Sequence, residues 1–334
     1  MDNLAGCPYE RTCLSARNFS SKRINMSNQA AIHKVLIVGY GVMGKGVSAT
    51  FAAAGFDTMI KSSRAAELDD LPEGVTAISD LPGAAPDLVI EFVPEDVAIK
   101  QKVFADIEAA WPNDEVIIAT GTSGMSLDVL SEKLARPELF TGIHYFMPAE
   151  STAVAEVMAG PGAPAEVVDA VADAVRRTGK EIVTLYKPIV GFLINRLQHI
   201  ILHEAYYLVE EGVATPADID MAARKMLAPR MCLNGLIEQK DTSGLEIHAL
   251  AQRSIVPELH PIEIPNPLIQ DMVARGEVGL SAGRGFYDWD GCDVDRVRKQ
   301  SSERLRKLSK FLDEEVSEYA PHTKPKTREL KRGQ

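Results

Sequence analysis

No apolar run in this chain approaches the roughly 20 residues that a membrane-spanning helix needs, so no membrane partner is expected. Cysteine is scarce. Cys7, Cys13, Cys232 and Cys292 show no metal-ligand spacing and build no disulfide framework, and they are read as reduced thiols. Positive charge is in the minority: 36 Lys and Arg against 47 Asp and Glu leave a net charge of -11. That balance argues against nucleic acid as a partner and leaves an anionic small molecule open, because local cations decide the latter. The first 29 residues lack the apolar core of a secretory signal, and Asp2 and Glu10 interrupt an organelle-targeting pattern. They are expected to be a disordered extension of a cytoplasmic protein. His199 and His203 lie four apart on a helical pattern without a third ligand in view, so no metal is expected. There is no internal repeat.

What is present is the composition of an ordinary globular protein, 46% apolar and 25% charged, and 334 residues are enough for two domains. From His33 to about Tyr186 short apolar runs alternate with helical periods. Strands are expected at 34–38, 58–61, 87–92, 115–120, 140–144, 154–158 and 181–185, and helices at 44–54, 97–110, 127–134 and 165–177. Such alternation implies a mostly parallel, doubly wound sheet with helices on both faces, an α/β fold of Rossmann type. After Lys187-Pro188 the pattern becomes helical, beginning with a long period over 190–211 that Gly212 ends. Thr215-Pro216 offers an N-cap and a first-position proline for the next helix. The expected organisation is an extension over 1–29, a dinucleotide-binding domain over 30–187, a mostly α-helical C-terminal domain over 188–290, and a charged helix and tail over 291–334, disordered from Pro321.

Two motifs carry chemistry. The first, Gly39-Tyr40-Gly41-Val42-Met43-Gly44, follows an apolar strand and opens an alanine-rich helix. In that context Gly39 permits the tight turn, Gly41 lets the backbone approach a pyrophosphate, and Gly44 lets helix and strand pack closely. The free N–H groups of the helix start then face the phosphates. The end of the second strand bears on the choice of cofactor. A carboxylate there would bond the ribose 2′-hydroxyl of NAD, but the chain has Lys61-Ser62-Ser63-Arg64. Two hydroxyls and two cations suit a 2′-phosphate, with Arg64 stacking on adenine or pairing with the phosphate. NADP is therefore expected, with NAD as the alternative.

The second motif, Gly142-Ile143-His144-Tyr145-Phe146-Met147-Pro148, puts a histidine at the end of a strand, and Glu156 follows after a chain reversal. Hydride transfer to or from an alcohol carbon needs a group that moves the hydroxyl proton, and histidine does this in both directions near neutral pH. A carboxylate on its other ring nitrogen would fix the tautomer and steady the imidazolium.

In order, these motifs and Thr122-Ser123, Glu156-Val157-Met158, Gly191 to Arg196 and Gly283-Arg284-Gly285-Phe286-Tyr287 resemble the 3-hydroxyacyl-CoA dehydrogenase family over about residues 33–290. The resemblance implies His144 as general acid/base and Glu156 as its orienting partner. It implies that Ser123 and Asn195 hold the reacting oxygen, that Glu95 and Lys100 line the nicotinamide–ribose region, and that the enzyme is a homodimer. Three departures stand out. Met147 replaces the family's asparagine three residues after the histidine, Ser62 replaces its acid after the second strand, and only residues 63–86 separate Ser62 from Asp87. That stretch, with its prolines and glycines, leaves little room for the helical arm with which family members grip CoA. The expected substrate is therefore a small 3-hydroxy acid-like secondary alcohol. Arg230 is a candidate partner for its carboxylate, and Asn234 is a further polar contact. The alternatives are an NAD-dependent 3-hydroxyacyl-CoA dehydrogenase and a catalytically silent cofactor-binding protein.

Overall fold

The computed structural model describes residues 31–261, 264–316 and 326. The expected extension over 1–29, Cys7, Cys13 and most of the tail from Pro321 lie outside the described residues. The chain divides into two compact units, 1–194 and 195–334.

The first unit is an eight-stranded sheet built of β1 (Lys34–Val38), β2 (Asp57–Lys61), β3 (Val75–Ile78), β4 (Leu88–Glu91), β5 (Ile117–Thr120), β6 (Phe140–Tyr145), β7 (Val154–Ala159) and β8 (Glu181–Leu185). Their order across the sheet is β3-β2-β1-β4-β5-β6-β7-β8. All neighbours are parallel except β6 and β7, which run antiparallel with His144 opposite Glu156. Among the described residues of this unit the α-helices are α1 (Val42–Ala53), α2 (Val97–Ala110), α3 (Leu127–Leu130) and α4 (Ala165–Arg177). β4, β5 and β6 are buried along their whole length because the sheet is covered on both faces, which is why Leu88–Ile90 and Ile117–Ala119 read as apolar runs, while β6 places Thr141 and His144 among its apolar residues. Alternate residues of β1 feed two cores. Val35 and Ile37 pack with Val47 and Phe51 of α1, while Leu36 and Val38 pack with Phe104 and Ile107 of α2. Each such burial stabilises the fold by about 1.5–3 kcal/mol.

Two elements of the sheet unit differ from the sequence pattern. β3 is an edge strand that no apolar run announces; its residues are only partly buried, so Val75-Thr76-Ala77-Ile78 lacks the signal of the inner strands. The helix expected over 127–134 stops at Leu130 and continues as turns.

The order of the strands reverses between β1 and β4. The crevice at their C-terminal ends is where doubly wound sheets place ligands. Gly39 leaves β1 and Phe92 leaves β4 at this point, and both segments lie on that edge.

The second unit is helical: α5 (Ile194–Glu210), α6 (Pro216–Ala222), α7 (Ala228–Asn234), α8 (Glu238–Ser243), α9 (Leu245–Ile255), α10 (Pro267–Ala274) and α11 (Val294–Glu315). α5 begins four residues later than the apolar period predicts, after the turns at 190–193. Thr215 caps α6 with a reciprocal capping box, Thr215 taking the Asp218 N–H and Asp218 the Thr215 N–H. A π-turn over Ala223–Leu227 joins α6 to α7 beside Pro229, whose missing N–H withholds one bond of the regular ladder. The glycine-rich turn at 283–287 packs inside this unit: Phe286 stacks on Tyr206 at 5.5 Å, and Tyr287 donates to Asp220 at 2.7 Å. Among the described residues of the helical unit only Asn266 and Met272 are buried. No described helix is long and apolar enough to cross a membrane, and no described group of three or more His, Cys, Asp or Glu could hold a metal ion.

Candidate active site

The turn after β1 has the shape that a pyrophosphate requires. The Gly39 N–H donates to the Lys61 carbonyl at 3.0 Å, and Gly39 takes φ +112°, a conformation closed to most residues. A Cβ at Gly39 would lie 2.5 Å from the Phe92 carbonyl oxygen, and one at Gly44 would lie 2.0 Å from the Gly39 carbonyl oxygen. A Cβ at Gly41, by contrast, would meet nothing within 4 Å. The space kept clear at Gly41 faces the start of α1, which has no side-chain cap and no acid in its first turn. Its N–H groups are thus left for an anion. Val42 is exposed there and Met43 packs on the core. The residues fit a dinucleotide.

At the end of β2 the backbone of Ser62 donates to Ile78 of β3, and its hydroxyl accepts the Arg64 N–H at 3.2 Å. Ser62 and Ser63 open a tight turn, and Arg64 is exposed beyond it. A carboxylate does reach the glycine turn, from further along the chain. Asp70 accepts the Tyr40 hydroxyl at 2.7 Å and pairs with Lys45 of α1. Lys45, and then Tyr40, hold Asp70 below the usual carboxylate range. Sequence reasoning passed over this contact, because Asp70 lies in a loop without a motif.

His144 and Glu156 meet across β6 and β7. Nδ1 of His144 is 2.7 Å from Oε2 of Glu156, and both side chains are buried. The second oxygen of Glu156 is also committed: Oε1 accepts the N–H of Leu193 at 2.9 Å and of Ile194 at 3.0 Å, at the start of α5. With Nδ1 facing a carboxylate, the imidazole carries its proton there and keeps Nε2 as its basic nitrogen. Phe146 and Phe192 flank the ring at 4.4 and 5.0 Å. Phe192 is fully buried at φ +53°, and its ring lies so close to Gly142 that a Cβ there would sit 2.9 Å from Cζ.

A second charged cluster lies at the ends of β4 and β5. Glu91, with no exposed surface, accepts Val93 N–H at 2.6 Å, Lys100 Nζ at 2.7 Å and Thr120 Oγ1 at 2.8 Å. Burial pushes the Glu91 carboxyl above its usual range against the pull of Lys100. Lys100 is itself buried and reaches Glu95 Oε2 at 3.2 Å. Glu95 Oε1 then accepts Thr122 Oγ1 at 2.9 Å, the Ser123 N–H at 2.8 Å and Ser123 Oγ at 3.3 Å. Partial burial raises the Glu95 carboxyl, but the Ser123 N–H, Lys100 and Thr122 together outweigh it, and the net shift is downward. Ser123 follows β5 on the same sheet edge as His144 of neighbouring β6.

The sequence matches the profile of the 3-hydroxyacyl-CoA dehydrogenase NAD binding domain over residues 61–188 and that of the family's C-terminal domain over residues 191–289. A 3-hydroxybutyryl-CoA dehydrogenase of Bradyrhizobium diazoefficiens is 30% identical over 289 residues, covering 78% of this chain and 97% of the relative. The chain belongs to the 3-hydroxyacyl-CoA dehydrogenase family. This is a family of NAD-dependent oxidoreductases. A 5-formyl-3-hydroxy-2-methylpyridine 4-carboxylate 5-dehydrogenase of Mesorhizobium japonicum is 27% identical over 301 residues, 83% of this chain and 96% of that one. The crystal structure of a dehydrogenase of that name, described as an NAD+-dependent dismutase, superposes with a TM-score of 0.76 at 25% identity, covering 85% of this chain and 99% of that one. A 3-hydroxyacyl-CoA dehydrogenase of Archaeoglobus fulgidus superposes at 0.62 with 27% identity, over 84% and 99% of the two chains.

Within the family frame, the sheet unit holds the glycine turn, Ser62 to Arg64, Glu95, Lys100, Ser123, His144 and Glu156. Asn195, Arg230 and Asn234 belong to the helical unit. Asn195 is the second residue of α5. Arg230 is exposed on α7, and the Asn234 amide donates to Glu238 at 2.8 Å, so it serves its own helix pair. Between β2 and β4 the chain contains only the short turn Ala65–Glu67 and β3, and no helical arm. Glu91 and Thr120 are site-supporting residues that sequence reasoning missed. A carboxylate ending an apolar strand was the available signal for Glu91.

Proposed function

We propose that this protein transfers hydride between a nicotinamide cofactor and a compact alcohol or carbonyl substrate, of the size of a small 3-hydroxy acid, with His144 and Glu156 as the acid–base pair. The observation that carries the reading is the 2.7 Å contact of His144 Nδ1 with Glu156, on the sheet edge shared with the glycine turn. When bound, the cofactor supplies the C4 position that accepts or donates the hydride. In the direction of oxidation, Ser123 holds the substrate hydroxyl, with its own backbone N–H and hydroxyl anchored on Glu95. His144 Nε2 takes the hydroxyl proton, and Glu156 steadies the imidazolium. In reduction His144 returns that proton. The family resemblance gives Asn195, next in the chain after Ile194, a share in holding the same oxygen.

The missing arm between β2 and β4 favours a compact substrate over a CoA thioester. The likeness to the pyridine carboxylate dehydrogenase supports the same view, since its substrate is a small aromatic aldehyde acid. The second reading, an NAD-dependent 3-hydroxyacyl-CoA dehydrogenase, draws on the match to the family's C-terminal domain. A panel of 3-hydroxy acids, formyl-pyridine carboxylates and 3-hydroxyacyl-CoA thioesters decides between them. Turnover of the thioesters alone overturns the first reading. A third reading, a silent binding protein, stands only if no member of the panel turns over and His144→Ala changes nothing.

NAD is the cofactor that the family supports. Ser62, Ser63 and Arg64 add an open cationic turn that suits the 2′-phosphate of NADP. Titration with NADPH and NADH, on wild type and Arg64→Ala, separates them: an NADPH preference that collapses in the variant supports NADP, and an unchanged NADH preference supports NAD.

A further inference from the structure

Two carboxylates share one ammonium beneath the crevice. Lys100 is 1% exposed, Glu91 is 0% exposed, and Glu95 is 44% exposed. Among the described residues the group's other hydrogen-bond partners are neutral: Val93 N–H, Thr120, Thr122 and Ser123 donate to the carboxylates, and the Val93 carbonyl accepts from Lys100 at 3.3 Å. With both carboxylates ionised the cluster carries one uncompensated negative charge, and Glu95 is the member that presents it outward. Its place is defined by close packing. Gly39 of the cofactor turn rests on the backbone of Phe92 and Val93, and Gly121 rests on Phe92 and the Glu91 carbonyl. Glu95 thus lies on the segment between the glycine turn and the β5 end, on the half of a doubly wound sheet that receives the second mononucleotide. In this cofactor the second mononucleotide ends in the ring that is cationic when oxidised and neutral when reduced.

We propose that the Glu91–Lys100–Glu95 triad favours binding of the oxidised over the reduced nicotinamide through its net negative charge, with Glu91 acting from the interior without touching the cofactor. This rests on the dinucleotide reading of the Gly39–Gly44 turn. A fixed charge in a partly desolvated crevice acts on a second charge several ångströms away far more strongly than it would in water.

The test is equilibrium binding of NAD+, NADH and ADP-ribose, the last lacking the ring, by calorimetry on the full-length protein. Glu95→Gln and Glu91→Gln should each raise the ratio Kd(NAD+)/Kd(NADH) by about three- to tenfold, while ADP-ribose reads separately any change in the hold on the ribose. The double variant Glu91→Gln/Lys100→Met removes the buried pair together and leaves Glu95 charged, so its ratio should return to the wild-type value. It also keeps the test open if Glu91→Gln alone does not fold, since loss of both partners of a buried pair is better tolerated than loss of one. An unchanged ratio in Glu95→Gln overturns the proposal. So does a shift in Glu95→Gln that the double variant shares, because the effect would then not follow net charge. A wild type that binds none of the three ligands overturns the dinucleotide reading itself, and the triad's role with it.

Discussion

His144 depends on one carboxylate, and that carboxylate has two tasks. Replacing His144 by alanine should lower turnover by about 10²–10⁴-fold while NADH binding, read by fluorescence, stays near wild type. Glu156→Ala should cost turnover and stability together, because it removes both the partner of His144 and the oxygen that accepts two backbone N–H groups at the start of α5. A variant with full activity and an unchanged melting temperature would refute both roles. Glu95 gives the pH dependence at this scale. Its carboxyl is shifted below the ordinary value of 4.5, so its contribution to stability is present above that pH and is lost as pH falls through the folded-state value. The melting-temperature gap between wild type and Glu95→Gln should therefore shrink from about pH 6 to about pH 3. Glu91 is shifted upward by burial, so its stabilisation belongs to acid pH and fades as pH rises. At this scale the sequence showed His144 and Glu156, since a histidine after a strand and a glutamate past a reversal leave a pattern. Asp70 and Thr120 leave none; their roles arise from contacts across 25 to 30 residues of chain that only the fold brings together.

At the scale of elements, the β1–α1 turn separates folding from binding. Gly41 sits in extended backbone with open space where a Cβ would go, so Gly41→Ala should fold within about 0.5 kcal/mol of wild type and still lose dinucleotide affinity. Gly44→Ala, driven against the Gly39 carbonyl, should lose both stability and binding. Denaturant melts paired with cofactor titrations test the contrast; equal affinity in Gly41→Ala and wild type would remove the pyrophosphate from this turn. The inner strands β1, β4 and β5 were legible because burial on both faces demands runs of apolar residues. The edge strand β3 was not, because a half-covered strand may carry Thr76 as readily as a valine. The start of α5 was placed too early for a different reason. Phe192 and Leu193 fit a helical period, but the left-handed backbone at Phe192 delays the helix until Ile194.

At the scale of the whole molecule, the helical unit leaves much of its apolar surface uncovered. Almost every apolar side chain on it is at least partly exposed, among them Leu197, Ile200, Ile201, Leu233, Ile247 and Leu250. Patches of this kind are covered in stable proteins. A second copy is the occupant expected from the family resemblance, and light scattering at micromolar concentration should give twice the 36.3 kDa chain mass. A strictly monomeric protein would refute it. The sheet holds a different consequence, in the direction of β7. Because β7 runs against β6, His144 and Glu156 are matched by strand register, and the connection over residues 146–153 lies outside the paired residues. One residue inserted within either strand would turn one partner to the opposite face of the sheet. The same insertion in the connection would leave the pair in place. Descendants of this chain could therefore lengthen or reshape the segment around the exposed Met147 while inheriting the contact of His144 with Glu156 unchanged.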